Sequence, residues 1–232
     1  MQPALLTYGA IKLLDVPHAA ALAAEIFEED CYNFDRIPVG TIVLDIGACY
    51  GEFAIRCAVE KRSRVIAFEP SSKNRAILEQ NCRLNGLTED DMVVSPLAVG
   101  APGRRAFTHR PDHPAGSMFE AAAKGHGCVG TVEEVECASI ADQIRIARER
   151  WGELPICVKM DCEGAEYEIF ESRAWVDLVS VIAMEWHFYD GDHFRRLLEP
   201  LGFSVFVEGG GPKPRPAWDP TIGAGLLFAA RA

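Results

Sequence analysis

Residues 41–51, TIVLDIGACYG, decide how this chain folds. The run at 41–44 shows no alternation of polar and apolar residues, which predicts a strand buried on both faces, as in a parallel sheet. Gly47 and Gly51 let the backbone turn sharply and approach a ligand, and residues 53–60 have helical spacing. The loop therefore lies between the end of a strand and the start of a helix, where open α/β sheets bind nucleotide-like ligands.

The rest of the chain repeats this alternation of strand and helix. Further strands are predicted at 64–70, 92–100, 156–160, 179–187, 204–208 and 224–231, and further helices at 18–29, 72–86, 139–152 and 191–203. Strand–helix units followed by a terminal pair predict an α/β fold. Its sheet is expected to have seven mostly parallel strands, an antiparallel terminal strand and helices on both faces.

The chain is expected to contain one main domain at 41–232, preceded by an N-terminal helical cap at 1–40. Periodicity is lost between residues 101 and 135, which predicts an inserted loop or a lid over the site, with short hairpin strands among its expected elements. His109, His113 and His126 lie in this insertion and are interpreted as solvated loop residues.

Composition limits the function classes. The 232 residues are 49% hydrophobic, as in an ordinary globular protein, and no apolar run approaches the about 18 residues of a membrane span. A net charge of −11 disfavours nucleic acid as a partner. The eight cysteines form no C-x-x-C pair, so we expect reduced thiols, a cytoplasmic location, and neither zinc nor an iron–sulfur cluster. The composition leaves open whether the protein forms a homodimer.

Acidic residues and one histidine lie at the carboxyl ends of two predicted strands. Asp161 and Glu163 are two residues apart, as are Glu185 and His187, so each pair is expected to share a face. The carboxyl ends of parallel strands meet at one edge, which places both pairs in one crevice with the glycine loop. Glu69 ends the second strand, where a carboxylate can accept the hydroxyl hydrogens of a ribose.

Two cofactor classes fit a glycine loop followed by an acidic strand end. Dinucleotides such as NAD favour G-x-G-x-x-G, but the middle glycine is absent from Gly47–Gly51, and Asp45 would repel a pyrophosphate. S-adenosylmethionine has a ribose, an adenine and an ammonium group, and it carries no phosphate. The charges therefore favour S-adenosylmethionine.

Four motifs in order extend this argument: DIGACYG, VIAFEPSSKNRAILEQNCRLN, VKMDCEGAEYEIF and MEWH. Over about residues 39–205 the chain resembles the FkbM-type S-adenosylmethionine-dependent methyltransferases, with Cys49 where that family usually has asparagine. The resemblance implies a Rossmann-like class I methyltransferase fold. It also implies O-methylation of a small molecule such as a sugar, a polyketide or another natural product.

The resemblance also implies roles for single residues. The expected cofactor-binding residues are Asp45, Gly47, Ala48, Cys49, Tyr50, Gly51, Glu69, Pro70, Asn74, Ala98 and Asp161. In this assignment Asp45 lies near the ammonium group, Glu69 holds the ribose, and Asp161 lies close to the sulfonium methyl. Pro70 packs near the adenine, and residues 98–100 line its other side.

Methyl transfer to a hydroxyl needs alignment and a group that accepts the proton. His187 is the first candidate base because its unperturbed pKa is near neutral, Glu163 is the second, and Glu185 is expected to orient His187. The same oxygen and imidazole groups permit Mg²⁺, Mn²⁺ or Fe²⁺, but their spacing is not diagnostic, so no metal is expected. Rival functions are an NAD-dependent oxidoreductase, a non-catalytic cofactor-binding module and N-methylation.

Overall fold

The computed structural model describes residues 4–110, 118–119, 130–187, 192–209 and 224–231. The strands are β1 (Leu5–Tyr8), β2 (Ile11–Leu14), β3 (Ile42–Ile46), β4 (Arg64–Phe68), β5 (Met92–Ser95), β6 (Ala98–Val99), β7 (Gly103–His109), β8 (Met118–Phe119), β9 (Thr131–Ala138), β10 (Ile156–Met160), β11 (Val181–His187), β12 (Phe203–Gly209) and β13 (Ala224–Arg231). The α-helices are α1 (Ala19–Phe27), α2 (Glu52–Glu60), α3 (Ser72–Leu84), α4 (Ile140–Trp151), α5 (Glu166–Glu171) and α6 (Asp192–Leu198). Short 3₁₀ turns occur at Phe34–Arg36, Val176–Leu178 and Glu199–Leu201.

The central sheet has seven strands in the order β12-β13-β11-β10-β3-β4-β5. Strands β11, β10, β3, β4 and β5 pair in parallel, whereas β13 runs antiparallel to both β11 and β12. The predicted α/β fold, with a seven-stranded mostly parallel sheet and a terminal antiparallel strand, is confirmed. Because β3 has β10 on one side and β4 on the other, the loop after β3 opens at the middle of the sheet.

Packing on both faces of the sheet explains why the sequence is continuously apolar at the start of β3. All five of its residues are buried. Ile42 and Leu44 pack into the cluster that includes α4, α5 and α6, while Val43 packs into the cluster on the opposite face, with α2 and α3. Since successive side chains of a strand point to opposite faces, both faces need apolar residues.

A second sheet, with four strands, corrects the extent of one predicted strand. The strand predicted at 92–100 is right for Met92–Ser95 and wrong beyond it, because the chain leaves the central sheet after β5 and β6 joins the small sheet β6-β9-β7-β8. Pro96 separates them, and proline cannot donate a ladder hydrogen bond. Within the insertion, residues 103–109 and 131–138 pair as antiparallel strands, in agreement with the hairpin strands expected there. The rest of the insertion, with His113 and His126, lies outside the described residues.

His109 is not a solvated loop residue. It is 3% exposed at the end of β7, and its Nδ1 shares a hydrogen bond of 2.9 Å with the hydroxyl of Ser71. The small sheet therefore touches the segment after β4, which contributes to the site.

The N-terminal segment contains the expected helix, α1, and also a hairpin of β1 and β2 that the sequence analysis misses. The hairpin is held to α3 by side chains: Asn81 accepts from the amide of Leu14 at 2.8 Å, and Asn85 exchanges hydrogen bonds with the backbone of Lys12. In the described part of the chain the cysteines are free thiols, and no helix is long and apolar enough to cross a membrane.

Candidate functional site

The loop after β3 is shaped by contacts that only a glycine permits. Gly47 has φ +80°, and a Cβ there would lie 1.9 Å from the backbone oxygen of Asp161. The amides of Gly47 and Ala48 donate to the carbonyl of Phe68 at 3.1 and 3.0 Å. The loop is thus joined to the ends of both neighbouring strands, β4 and β10.

A cavity lies between this loop, the strand ends and the N-terminal segment. On the side of β4 and β5 its walls are largely apolar, with Pro70, Leu97, Ala98, Val99 and Phe107. The walls from β10, α1, α2 and the segments beside them carry most of the polar side chains, Glu25, Tyr32, Glu52, Lys159 and Asp161, among apolar ones such as Leu22, Ile26 and Phe53. A ligand with a flat apolar part and a charged part matches these two sides.

The predicted cofactor-binding residues divide into two groups. Those that line the cavity are Gly47, Ala48, Cys49, Glu69, Pro70, Ala98 and Asp161. Those that do not are Asp45, Tyr50, Gly51 and Asn74. The last three have structural contacts: the Tyr50 hydroxyl donates to the Pro17 carbonyl at 3.4 Å, Gly51 leaves room for Leu78, and the Asn74 amide donates to Ser71 at the start of α3.

Asp45 lies behind the loop. It is fully buried on β3, and its Oδ1 is 3.1 Å from Nζ of Lys159, its neighbour on β10. The same ammonium donates to the carbonyl of Gly47 at 2.8 Å. Asp45 therefore acts on the loop through Lys159.

Glu69 is held by the backbone on both sides. It is 4% exposed, its Oε2 accepts from the amide of Cys49, and its Oε1 accepts from the amide of Ser71, both at 2.8 Å. Burial raises the pKa of this carboxyl to about 8, although the two amides favour the charged form. Each oxygen keeps a further lone pair, so the carboxyl can still accept hydrogen bonds from a ligand.

The ends of β10 and β11 bring the predicted catalytic residues together. His187 has its Nε2 at 3.8 Å from Glu163 and at 4.0 Å from Glu185. One ligand atom each of Asp161, Glu163 and His187 lie within 4.8 Å of one another. The strand-end acids and the imidazole therefore lie close together, and of these four residues Asp161 lines the cavity with the glycine loop, whereas Glu163, Glu185 and His187 do not.

Glu166 also belongs to this cluster, although it was not among the predicted site residues. It is fully buried, and its carboxylate accepts from the amides of Cys162 and Gly164 at 3.0 and 2.8 Å. Its Oε1 also lies 3.3 Å from Nδ1 of His187. Glu163, in the same turn, has φ +53°, an uncommon conformation for a residue with a side chain.

The carboxylates change the protonation of the cluster. Burial lowers the pKa of His187, but the carboxylates of Glu163 and Glu166 outweigh it, so the net pKa lies well above the usual value. Burial raises the pKa of Glu163 to about 7, and the imidazolium of His187 offsets part of that rise. The cluster therefore favours the protonated imidazole of His187, and a pKa of about 7 suits Glu163 to both bind and release a proton near neutral pH.

Tyr32 is a second residue that the sequence analysis missed. It is 7% exposed, and its hydroxyl donates to Oδ2 of Asp161 at 2.9 Å. Its ring packs edge-on against Phe53 of α2, with 5.4 Å between the centroids. No local pattern in residues 28–37 signals this contact, because it depends on how the N-terminal segment folds over the sheet.

Comparisons with known proteins agree with this geometry. A model of the methyltransferase FkbM domain matches residues 45–205. "Methyltransferase 1" of Beauveria bassiana (strain ARSEF 2860) is 26% identical over 215 residues, which cover 84% of this chain and 83% of that protein. "Methyltransferase sdnD" of Sordaria araneosa is 24% identical over 228 residues, covering 86% of each. In fold, the chain is similar to a tRNA methyltransferase of M. jannaschii: 14% identical, covering 99% of this chain and 54% of that one, with a TM-score of 0.50.

Proposed function

The chain belongs to the FkbM methyltransferase family, whose methyl donor is S-adenosylmethionine, and we propose that it methylates a hydroxyl group of a small molecule. The observation that carries the proposal is the cluster of Glu163 and His187 beside Asp161, which itself lines the cavity. This cluster offers a proton acceptor next to the place where the methyl donor binds. A hydroxyl acceptor needs such a group more than an amine does.

The residues around the cavity suit the cofactor. Gly47 lets the loop pack directly against the backbone of Asp161, which brings the two turns together at the cavity wall. The carboxyl of Glu69 suits the ribose hydroxyls, and the apolar walls at Pro70 and Val99 suit the adenine. When bound, the cofactor supplies a methyl group already activated by a positively charged sulfur.

In this proposal Glu163 accepts the proton of the acceptor hydroxyl. A base works best when its pKa lies near the operating pH, and the pKa of Glu163 is raised to about 7. The order of the two candidates in the sequence analysis is thereby reversed. Asp161, held by Tyr32, positions the acceptor side of the cavity, and the turn at 161–166 keeps Glu163 close to it.

His187 acts as a positioning residue. Its imidazole lies between Glu166 on one nitrogen and Glu163 and Glu185 on the other. As a cation it neutralises part of the surrounding negative charge, which keeps the carboxylate of Glu163 available near neutral pH.

The other candidate functions have less support. Membership of a methyltransferase family argues against an NAD-dependent oxidoreductase. The structural relative from M. jannaschii acts on tRNA, but a chain with a net charge of −11 would repel a polyanion. A small uncharged or cationic acceptor fits this charge better.

The proposal is tested with matched acceptors. The protein is incubated with S-adenosylmethionine that is labelled in its methyl group. The acceptors are pairs of sugars and pairs of polyketide-like compounds, and in each pair one member has a hydroxyl group where the other has an amine. We expect label in the hydroxyl compounds as a methyl ether, identified by NMR. Methylation of the amine members alone would overturn the hydroxyl assignment.

The role of Glu163 is tested on any acceptor found in that panel. Glu163→Gln is expected to lower kcat by about 100-fold or more, because it removes the proton acceptor, while the affinity for S-adenosylhomocysteine stays the same. Glu171→Gln, at the exposed end of α5, is the control and should match the wild type. Equal activity of the two variants would refute the assignment.

A further inference from the structure

Glu52 lines the cavity but takes no part in the proton transfer or in the contacts with ribose and adenine. It is the first residue of α2 and is only 4% exposed. Its Oε1 has no hydrogen-bond partner among the residues that the structure describes. Buried polar atoms are nearly always paired, so an unpaired carboxyl oxygen at the wall of a ligand cavity indicates that a ligand completes its hydrogen bonding.

The charged groups near Glu52 leave its negative charge poorly compensated. Lys159 is the nearby cation, but it pairs with Asp45 at 3.1 Å and donates to the loop at Gly47. Asp45 itself and Glu25 of α1 add negative charge. Burial raises the pKa of Glu52 to about 8, and Lys159 offsets only part of that effect. A cation that enters the cavity would therefore be attracted to this carboxyl group.

We propose that Glu52 binds the α-ammonium group of S-adenosylmethionine and of its product S-adenosylhomocysteine. The ammonium is the cationic group of the cofactor that can donate hydrogen bonds, since the sulfonium sulfur carries no hydrogen. Asp45, which the sequence analysis favours for this contact, is fully buried, paired with Lys159 and absent from the cavity wall. The proposal rests on the cofactor alone and is independent of the acceptor.

Two ligands that differ in the amino-acid part separate this role from a structural one. S-adenosylhomocysteine carries the ammonium, whereas 5′-methylthioadenosine has the same nucleoside and sulfur without it. Titration calorimetry on the wild type and on Glu52→Gln measures both affinities. We expect the affinity for S-adenosylhomocysteine to fall at least about 10-fold in the variant, because a charged hydrogen bond is lost, and the affinity for methylthioadenosine to stay unchanged.

The controls make each outcome decisive. Glu60→Gln makes the same change at the exposed end of α2 and should bind both ligands like the wild type. An equal loss for both ligands in Glu52→Gln would show that the variant damages the cavity, and an unchanged affinity for S-adenosylhomocysteine would show that Glu52 does not touch the ammonium. Either result overturns the proposal. If the wild type bound neither ligand, the cofactor assignment itself would fail.

A second measurement is the number of protons that the protein releases when each ligand binds. The Glu52 carboxyl is largely protonated at pH 7 in the free protein, because its pKa is about 8, and an ammonium beside it favours the carboxylate. Binding of S-adenosylhomocysteine should therefore release more protons than binding of methylthioadenosine, measured by calorimetry in two buffers of different ionisation enthalpy. Glu69 also has a raised pKa, but it faces the nucleoside common to both ligands, so its contribution cancels. The excess should vanish in Glu52→Gln; an excess that persists would contradict the proposal.

Discussion

The turns after β3 and after β10 lie side by side at the middle of the sheet, but they are held in different ways. Residues 47–51 depend on the close approach of Gly47 to the backbone of Asp161, which a residue with a Cβ would prevent, and the side chains of Lys159 and Glu69 add hydrogen bonds. Residues 161–166 are held by a side chain, the carboxylate of Glu166, which accepts two amides and contacts His187. A turn that depends on a glycine needs a particular residue type at one position, whereas a turn that depends on the carboxylate of Glu166 needs particular neighbours in space.

Of the substitutions that test the difference between the two turns, Gly47→Ala is expected to have the largest effect on stability and on ligand binding. Its Cβ would meet the backbone oxygen of Asp161 at 1.9 Å, so the two turns would have to move apart. We expect the free energy of unfolding to fall by about 3 kcal/mol and the affinity for S-adenosylhomocysteine to fall by about 100-fold. Chemical denaturation and calorimetry measure these changes.

Gly86→Ala is the matched control for this variant. Gly86 also has a positive φ, +66°, but a Cβ at this position would meet no atom within 4 Å. The variant should lose only about 1 kcal/mol of stability, through backbone strain, and should bind the ligand normally. If both variants behaved alike, backbone strain and not the contact with Asp161 would explain the glycine at position 47.

The same contrast explains what could be predicted from the sequence. The apolar run of β3, Gly47 and Glu69 follow local rules about buried strands, left-handed turns and strand ends, and these rules hold whatever lies across the cavity. The hairpin of β1 and β2 and the split of residues 92–100 between two sheets were not predictable in this way. Their partners, α3 and β9, lie far along the chain.

The positions of the site residues could also be predicted only in part. The sequence could place four residues at one edge because they lie at the carboxyl ends of two parallel strands: Asp161, Glu163, Glu185 and His187. Their protonation could not be predicted, because it depends on burial and on Glu166, which reads in the sequence as an ordinary acid in the first turn of a helix. Tyr32 and Glu52 were missed because no motif marks a residue whose function comes from folding against a cavity.

The next prediction tests the turn at residues 161–166 by the substitution His187→Gln, because His187 contacts Glu166 of that turn. The imidazolium lowers the pKa of Glu163, so its removal should raise that pKa. A base must be deprotonated, and activity is lost as the pH falls through its pKa. The acidic limb of kcat/KM should therefore move to higher pH by about one unit or more, with a loss of about 10-fold at pH 7 that is recovered at alkaline pH.

His193→Gln, an exposed histidine of α6, is the control for the pH profile and should leave it unchanged. A large loss in His187→Gln that persisted at every pH would show that the imidazole itself is the base. An independent readout needs no acceptor: NMR of the ring nitrogens should find His187 protonated at pH 7 in the wild type and neutral or mixed if the carboxylates do not act on it.

A smaller effect is expected from Tyr32→Phe, which removes the hydroxyl that donates to Asp161. The free energy of unfolding should fall by about 1 kcal/mol, and the affinity for S-adenosylhomocysteine should fall by a factor of about 5, because Asp161 is less firmly held. Tyr8→Phe is the control, since the Tyr8 ring stacks on Phe27 outside the cavity. A variant at position 32 identical to wild type would mean that the N-terminal segment covers the site without positioning it.

The smallest expected effect is that of removing divalent cations. Asp161, Glu163 and His187 could ligate a metal ion, and such an ion would supply the positive charge that the carboxylates require. In the proposed arrangement His187 supplies that charge, since its two nitrogens face Glu166 on one side and Glu163 and Glu185 on the other. Activity after exhaustive treatment with EDTA should therefore equal that of the untreated protein. A loss that Mg²⁺ or Mn²⁺ restores, together with Mn²⁺ binding that Glu163→Gln abolishes, would transfer the role of cation from the imidazolium to the metal and make His187 a ligand.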